Sequence, residues 1–301
     1  MAYTKLTPRF TPDARVDEIG RGSTYRLSIP SGKADKYRFA QLDDYAQTLR
    51  GRFPHRFPLS LSLLARTSSD SIAGTWGFGL WNDPFGLSLG FGGNPFRLPA
   101  LPNAVWFFSA SKESYLSFRD VRPERTLSLS KRQTKGGVST APLGLDTSEK
   151  STRSTRPARR EVGNGFLAQA FRSPKFHPSL ILAGLALPFS RKMTRRILGK
   201  VIDEDGVQLW SHETQQQAVG LQRVDPTQWH RYRLEWREER VVFYVDEVQV
   251  FESSVSPNPP LGLVIWLDNQ YAAFTPEGKI GFGVLENPEP EWLEIRELEM
   301  G

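Results

Sequence analysis

Hydrophobic and polar residues alternate with a period of two along much of the chain, as in Leu59-Ser60-Leu61-Ser62-Leu63 and in Tyr232-Arg233-Leu234-Glu235-Trp236. Successive side chains of a β-strand point to opposite faces, so this alternation marks strands with one wet and one buried face. The same reading predicts strands over Ser23–Pro30, Tyr37–Tyr45, Leu59–Arg66 and Trp229–Trp236. Ala104–Ser111 and Leu261–Leu267 are apolar at nearly every position, as expected of strands covered on both sides. Gly165–Phe171, Lys279–Leu285 and Trp292–Leu298 complete the pattern, and Val241–Phe251 reads as a hairpin turning at Asp246-Glu247. About a dozen short strands separated by turn residues predict an all-β fold, a two-sheet antiparallel β-sandwich of jelly-roll type.

Three stretches break the pattern. Residues 1–20 are polar and charged and read as a flexible N-terminal arm ahead of a single domain over 21–301. Residues 121–165 are rich in Ser, Thr, Lys, Arg and Gly without periodicity, and they bury too little apolar surface to offset the entropy of ordering, so a disordered basic insert is expected. Residues 178–202 form the one helical pattern, a short helical insertion. Leu180, Ile181, Leu182, Leu185 and Leu187 precede Pro188, which ends or kinks a first helix. Met193, Ile197, Leu198 and Val201 then fall at helical spacing among basic residues. Such a helix packs over a sheet edge, closes as a lid over an apolar pocket, or lies on a membrane surface, and the sequence leaves the three open.

Composition narrows the chemistry. There is no cysteine, which excludes disulfides, thiolate metal sites and thiol nucleophiles. No apolar leader or 18-residue apolar run is visible, so a cytoplasmic location is expected. The formal charge is +6, and residues 121–165 account for all of it, with ten Lys/Arg against Glu124, Asp146, Glu149 and Glu161. An excess confined to one low-complexity segment is no patterned basic face, so no nucleic-acid partner is expected. The four histidines show no metal spacing, and no cofactor or metal is expected. Gly90-Phe91-Gly92-Gly93-Asn94 lacks the lysine and following helix of a phosphate loop.

The densest chemistry lies in Gly74-Thr75-Trp76-Gly77-Phe78-Gly79-Leu80-Trp81-Asn82-Asp83. Glycines inside a strand mark places where something approaches the backbone closely. With Gly77 and Gly79 on one face, this strand is expected to form a shallow groove floor. Asn82-Asp83 and Asp268-Asn269-Gln270 both end aromatic strands and are expected to meet on one rim. That cluster would hydrogen-bond hydroxyls beside Trp81 and Trp266, or supply an acid/base pair from Asp83 and Asp268. It would alternatively cap strand ends. A Ca²⁺ site from Asn82, Asp83 and Asp268 has suitable oxygen donors but no ion-binding spacing.

The run Trp229-His230-x-Tyr232-x-Leu234-x-Trp236, then Phe243-Tyr244-Val245-Asp246, then Pro259-Pro260-Leu261 resembles the WHxYxxxW, YVDG and P-M/L sequence of concanavalin A-like lectin/glucanase jelly rolls. That superfamily includes the family 16 glycoside hydrolases, whose strand preceding the catalytic one is similar to Gly74–Trp81. The resemblance covers about half the chain and implies two curved antiparallel sheets with ligands bound across one of them. Those hydrolases carry E-x-D-x-x-E on the next strand, which places nucleophile and acid about 5 Å apart. The corresponding Ala104–Ser111 holds no carboxylate, so hydrolysis by that mechanism is not expected.

Two functions follow as expectations. The first is a binding protein whose groove, lined by Trp76, Trp81, Asn82, Trp106, Phe108, Trp266, Asn269 and Gln270, takes a glycan-bearing or largely apolar small molecule. The second is an enzyme on the same groove, either a diverged glycosidase or a cyclase, isomerase or hydratase on an isoprenoid-like substrate, with Asp83 and Asp268 as acid and base. Oligomeric state is left open.

Overall fold

Strand parity divides the apolar residues into two packed layers. The computed structural model describes residues 5–20, 24–84, 100–116, 164–174, 201–210, 224–274 and 280–301. All of them belong to one unit formed by residues 1–120 and 160–301. The first sheet has the order β1 (Thr7–Phe10), β4 (Phe39–Asp43), β14 (Gly262–Asp268), β6 (Thr75–Trp81), β7 (Ala104–Ala110), β9 (Gly165–Arg172), β10 (Asp203–Trp210). The second has the order β13 (Val248–Ser253), β12 (Val241–Val245), β11 (His230–Trp236), β5 (Leu59–Thr67), β17 (Glu291–Met300), β3 (Thr24–Ile29), β2 (Arg15–Ile19). Every pairing within these two sheets is antiparallel. A third, small sheet joins β15 (Gln270–Phe274) to β16 (Ile280–Val284) and, in parallel, to β8 (Tyr115–Leu116). The fold is the two-sheet antiparallel β-sandwich expected from the alternation.

Between the sheets lies an aromatic and aliphatic core. Trp76 stacks on Phe166 at 4.9 Å, while Phe107 meets Tyr232 at 5.1 Å and Phe243 at 5.2 Å, edge to face. Such pairs add roughly 0.5–1.5 kcal/mol each beyond the area they bury. Trp236 is fully buried and donates its indole N–H to Ser256 Oγ at 3.1 Å. The β12–β13 hairpin turns at Asp246-Glu247 as its sequence indicates. Both residues have positive φ, 48° and 63°, which a two-residue turn matched to strand twist requires. The Asp246 carboxylate steadies that turn by bonding His230 Nδ1 at 2.6 Å and accepting from the Arg231 amide at 2.9 Å.

The N-terminal segment departs from expectation. Thr7–Phe10 and Arg15–Ile19 are strands at the edges of the two large sheets, β1 against β4 and β2 against β3. Edge strands need only one partner and often carry charge, which is why their sequence reads as a loose arm. The sandwich also closes at its far side, where Ser253 on β13 donates to Asp205 on β10 at 2.7 Å. The basic insert apart from Asn164 and Gly165, the Gly90–Asn94 loop, and the helix expected over 178–202 apart from Val201 and Ile202 lie outside the described residues. No helix among the described residues is long and apolar enough to cross a membrane.

Candidate functional site

One face of the first sheet packs on the second sheet, and the other collects the candidate residues. On β6, Trp76, Phe78 and Leu80 join the inter-sheet core, so Gly77, Gly79 and Trp81 face outward. Register then sets the neighbours. Gln41, Trp266, Gly77, Phe108 and Leu167 form one cross-strand row, and Asp43, Val264, Gly79, Trp106, Gln169 and Gly206 form the next. The glycines do not leave an open floor as expected. A Cβ on Gly77 would lie 2.7 Å from the Trp266 ring, one on Gly79 would lie 2.6 Å from Trp106 Cβ, and one on Gly262 would lie 2.3 Å from the Tyr45 ring. The missing side chains are what lets the aromatic rings of neighbouring strands lie across the sheet.

The outcome is a cluster of three indoles with each N–H engaged. Trp81 donates to Tyr45 Oη at 2.7 Å, Trp266 to Thr75 Oγ1 at 3.0 Å, and Trp106 to Gln169 Oε1 at 3.4 Å. The Trp81 and Trp266 rings are parallel to within 3°, with centroids 6.2 Å apart. Trp106 lies 6.1 Å from Trp81 and 5.7 Å from Trp266, and Phe108 lies 5.9 Å from Trp266. Trp106 and Phe108 are buried, whereas Trp81 and Trp266 are half-buried. Hydrogen bonds at the ring edges fix the orientation of the π faces.

Polar groups border the rings. On the β4 side, Asp43 is fully buried. Its Oδ1 accepts the backbone amides of Tyr45 at 3.2 Å and Ala46 at 2.7 Å, and its Oδ2 accepts Gln41 Nε2 at 2.7 Å. Arg9 on β1 lies 3.7 Å from the same carboxylate. Burial nonetheless pushes the Asp43 carboxyl upward, against the pull of Gln41, Arg9 and the two amides. On the β9 side, Gln169 donates to Glu204 at 3.2 Å. At the far end of β14, Asp268 accepts Thr75 Oγ1 at 2.8 Å, and burial pushes its carboxyl up to about 6 despite hydrogen bonds from Thr75, Gln270 and Tyr37.

These positions correct several expectations. Trp76 lies between the sheets, because its parity is opposite to that of Trp81, and it does not line the outer face. Asp83 and Asp268 do not meet on one rim. In the antiparallel register Trp81 pairs with Gly262 and Thr75 with Asp268, so the two acids belong to opposite ends of the strand pair. Six strand steps of about 3.3 Å put roughly 20 Å between those ends. This removes the acid/base pair and the shared Ca²⁺ donor set together. Among the described residues no group of three His, Cys, Asp or Glu is gathered as a metal cluster would need.

The amides at the strand ends hold loops. Asn82 donates to Leu101 O at 2.8 Å and accepts the Asn103 amide at 3.0 Å. Asn269 is fully buried, with Nδ2 donating to Lys36 O and Leu285 O, and Oδ1 accepting the Arg38 amide. It sits where the chain leaves the first sheet for the small one, and Gln270 opens β15 opposite Val284.

Among the described residues, the carboxylates of the outer face also lack the spacing of paired-carboxylate hydrolysis. The outer face carries Asp43, Glu204 and Asp268 among the described residues, and none lies on β7. Asp43 and Glu204 are five strands apart, roughly 24 Å at about 4.8 Å per strand. Asp268 pairs with Phe39, four residues from Asp43 and so about 13 Å along β4. Retaining and inverting glycosidases place their carboxyls about 5–5.5 and 6.5–9.5 Å apart. Sequence reasoning passed over Gln41, Asp43, Tyr45, Gln169 and Glu204. Gln169 was visible as the one polar residue within the apolar run Gly165–Phe171.

No protein-family model matches the chain, and no curated protein matches it. Solved structures do match. A Bacteroides ovatus family 16 glycoside hydrolase from a mixed-linkage glucan locus, in complex with its product, is 8% identical with a TM-score of 0.45, over 100% of this chain and 96% of that one. The LamAcat structure from Zobellia galactanivorans is 12% identical with a TM-score of 0.40, over 90% and 74%. A legume lectin-like domain from Entamoeba histolytica is 8% identical with a TM-score of 0.41, over 98% and 89%. Likeness at this level assigns neither ligand nor activity.

Proposed function

We propose that the protein binds a glycan-bearing small molecule on the outer face of the first sheet, with Trp81 and Trp266 as the stacking surface and the bordering amides and carboxylates as hydroxyl partners. The observation that carries this reading is the set of three indole N–H groups tied to Tyr45, Thr75 and Gln169, which leaves only π faces to offer. A sugar ring presents C–H groups on one face and hydroxyls around its edge. Aromatic faces bordered by Gln41, Asp43, Gln169, Glu204 and Asp268 complement both. A wholly apolar ligand uses the rings alone and gives the polar border no part in recognition. The carboxylate spacing favours binding over hydrolysis.

Thermal-shift and calorimetric titration against two panels, neutral oligosaccharides and polyprenyl lipids, tests the reading. A ligand at 100 times its Kd stabilises the fold by about 2.7 kcal/mol. Stabilisation by oligosaccharides is the expected result. A shift with polyprenyl lipids alone replaces the glycan by an apolar ligand, and silence from both panels overturns the binding function.

A further inference from the structure

Resting on the glycan-binding reading, the polar end of the outer face yields a finer assignment. Asp268 is 7% exposed and shares the β6–β14 pair with Trp266. Its two oxygens are used very unequally. Oδ1 accepts three donors, the Thr75 hydroxyl at 2.8 Å, the Thr75 amide at 3.2 Å and the Gln270 amide at 3.1 Å. Among the described residues Oδ2 has one partner, the Tyr37 hydroxyl, at a long 3.4 Å. A carboxylate offers about four acceptor sites, so Oδ2 retains capacity for a further donor. The Thr75 hydroxyl donates a hydrogen bond to Asp268 and accepts one from the Trp266 indole N–H, which links the acid to the ring.

We propose that Oδ2 of Asp268 accepts a hydroxyl of the bound glycan, and that the same carboxylate, acting through Thr75, holds the Trp266 ring in its binding orientation. On β4, Phe39 pairs with Asp268. β6 contributes Thr75, β15 the Gln270 amide, and β7 the apolar Ala110 opposite Thr75. The titratable neighbour is Tyr37, ahead of β4, whose hydroxyl is buried and held well above its usual range first by burial and then by Asp268, with Arg9 of β1 opposing. No cation is paired with Asp268 among the described residues. The ionised acid accepts a ligand hydroxyl, whereas a proton on Oδ2 turns that oxygen into a donor. Because burial raises this carboxyl to about 6, the ionised fraction falls about tenfold between pH 7 and pH 5, and affinity falls with it.

The test uses cellohexaose as the probe. Its Kd is measured by calorimetry at pH 7 and pH 5 for the full chain and for Asp268→Asn, with circular dichroism to confirm the fold. Tryptophan fluorescence of the ligand-free protein is titrated in parallel, with Trp266→Phe assigning the signal. Asn keeps the Oδ1 acceptor and places an amide N–H₂ toward Tyr37. The expected result is an affinity about tenfold weaker at pH 5 than at pH 7 in the native sequence. In Asp268→Asn the affinity is at least tenfold weaker and independent of pH. The fluorescence step near pH 6 is absent from both variants. Unchanged cellohexaose binding in Asp268→Asn overturns the acceptor role while leaving the glycan reading intact. No binding at either pH, with the fluorescence step present, overturns acceptor role and glycan reading together and supports the link to Trp266. A fluorescence step that survives in Asp268→Asn overturns that link.

Discussion

Gly77 lies directly beneath the Trp266 ring, and a Cβ at that position would come within 2.7 Å of Cη2 and 2.4 Å of the Phe107 carbonyl oxygen. The contact has rigid groups on both sides, a carbonyl of β7 and an indole tethered to Thr75. Replacement by Ala therefore has to move a strand or a ring. Overpacking of this kind costs about 1–3 kcal/mol. Gly77→Ala is expected to lose that much stability in urea unfolding and to weaken ligand binding, because the displaced ring is the proposed stacking surface.

The parallel rings of Trp81 and Trp266 carry the proposed affinity, so truncating either is expected to weaken binding about tenfold or more, which corresponds to about 1.4 kcal/mol. Trp76→Phe, in the inter-sheet core, is expected to lower stability while leaving affinity unchanged. Calorimetric titration of the three variants separates the two faces of β6.

Asn269 holds three backbone groups, the carbonyls of Lys36 and Leu285 and the amide of Arg38, at a fully buried position. Asn269→Ala removes all three bonds and leaves the buried Arg38 amide without its side-chain acceptor, and an unsatisfied buried group costs about 1–3 kcal/mol. A loss of about 1–3 kcal/mol is expected in chemical denaturation. Hydrogen exchange is expected to rise in β15 and β16 first, since Asn269 anchors their departure from the first sheet.

Glu291 is 7% exposed, its Oε2 has no hydrogen-bond partner among the described residues, and its Oε1 accepts the Ala73 amide at 2.8 Å. Burial pushes its carboxyl up to about 7, against that one hydrogen bond. The folded state therefore keeps a proton that the unfolded chain releases near 4.5, and stability falls as pH rises between those values. The native sequence is expected to lose roughly 2–3 kcal/mol from this group between pH 5 and pH 8. Glu291→Gln removes that loss, so the stability difference between variant and native sequence should shift in the variant's favour by the same amount over this range. Parallel unfolding curves at the two pH values measure it.

The sandwich was legible because the signal for it is local. Alternation in Leu59–Ala65 and Tyr232–Trp236, and the turn at Asp246-Glu247, each depend only on neighbours in sequence. The outward rings were legible in the same way, since Trp81 shares parity with Gly77 and Gly79, and Trp106 with Phe108. That parity also separates Trp76 from Trp81, and grouping the two ignored it. The meeting of Asp83 with Asp268 depended on register between strands almost two hundred residues apart, which no local pattern carries. Likewise, Arg15–Ile19 takes one partner at a sheet edge and buries little, so nothing in its composition marks a strand. Gln41 and Gln169 matter through which indole lies across from them, a relationship that exists only once β4, β14, β7 and β9 are side by side.

Tying each indole N–H to a protein partner has a consequence for how selectivity would change. In the proposed binding mode the tryptophans supply grip without discrimination, since their indole N–H groups are already occupied. Telling one ligand from another falls to the amides and carboxylates at the border, on β4, β9, β10 and the end of β14. Substitutions there can retune preference while the stacking surface stays intact, so grip and choice are separable, and this face is a natural starting point for redirecting the protein to a new ligand.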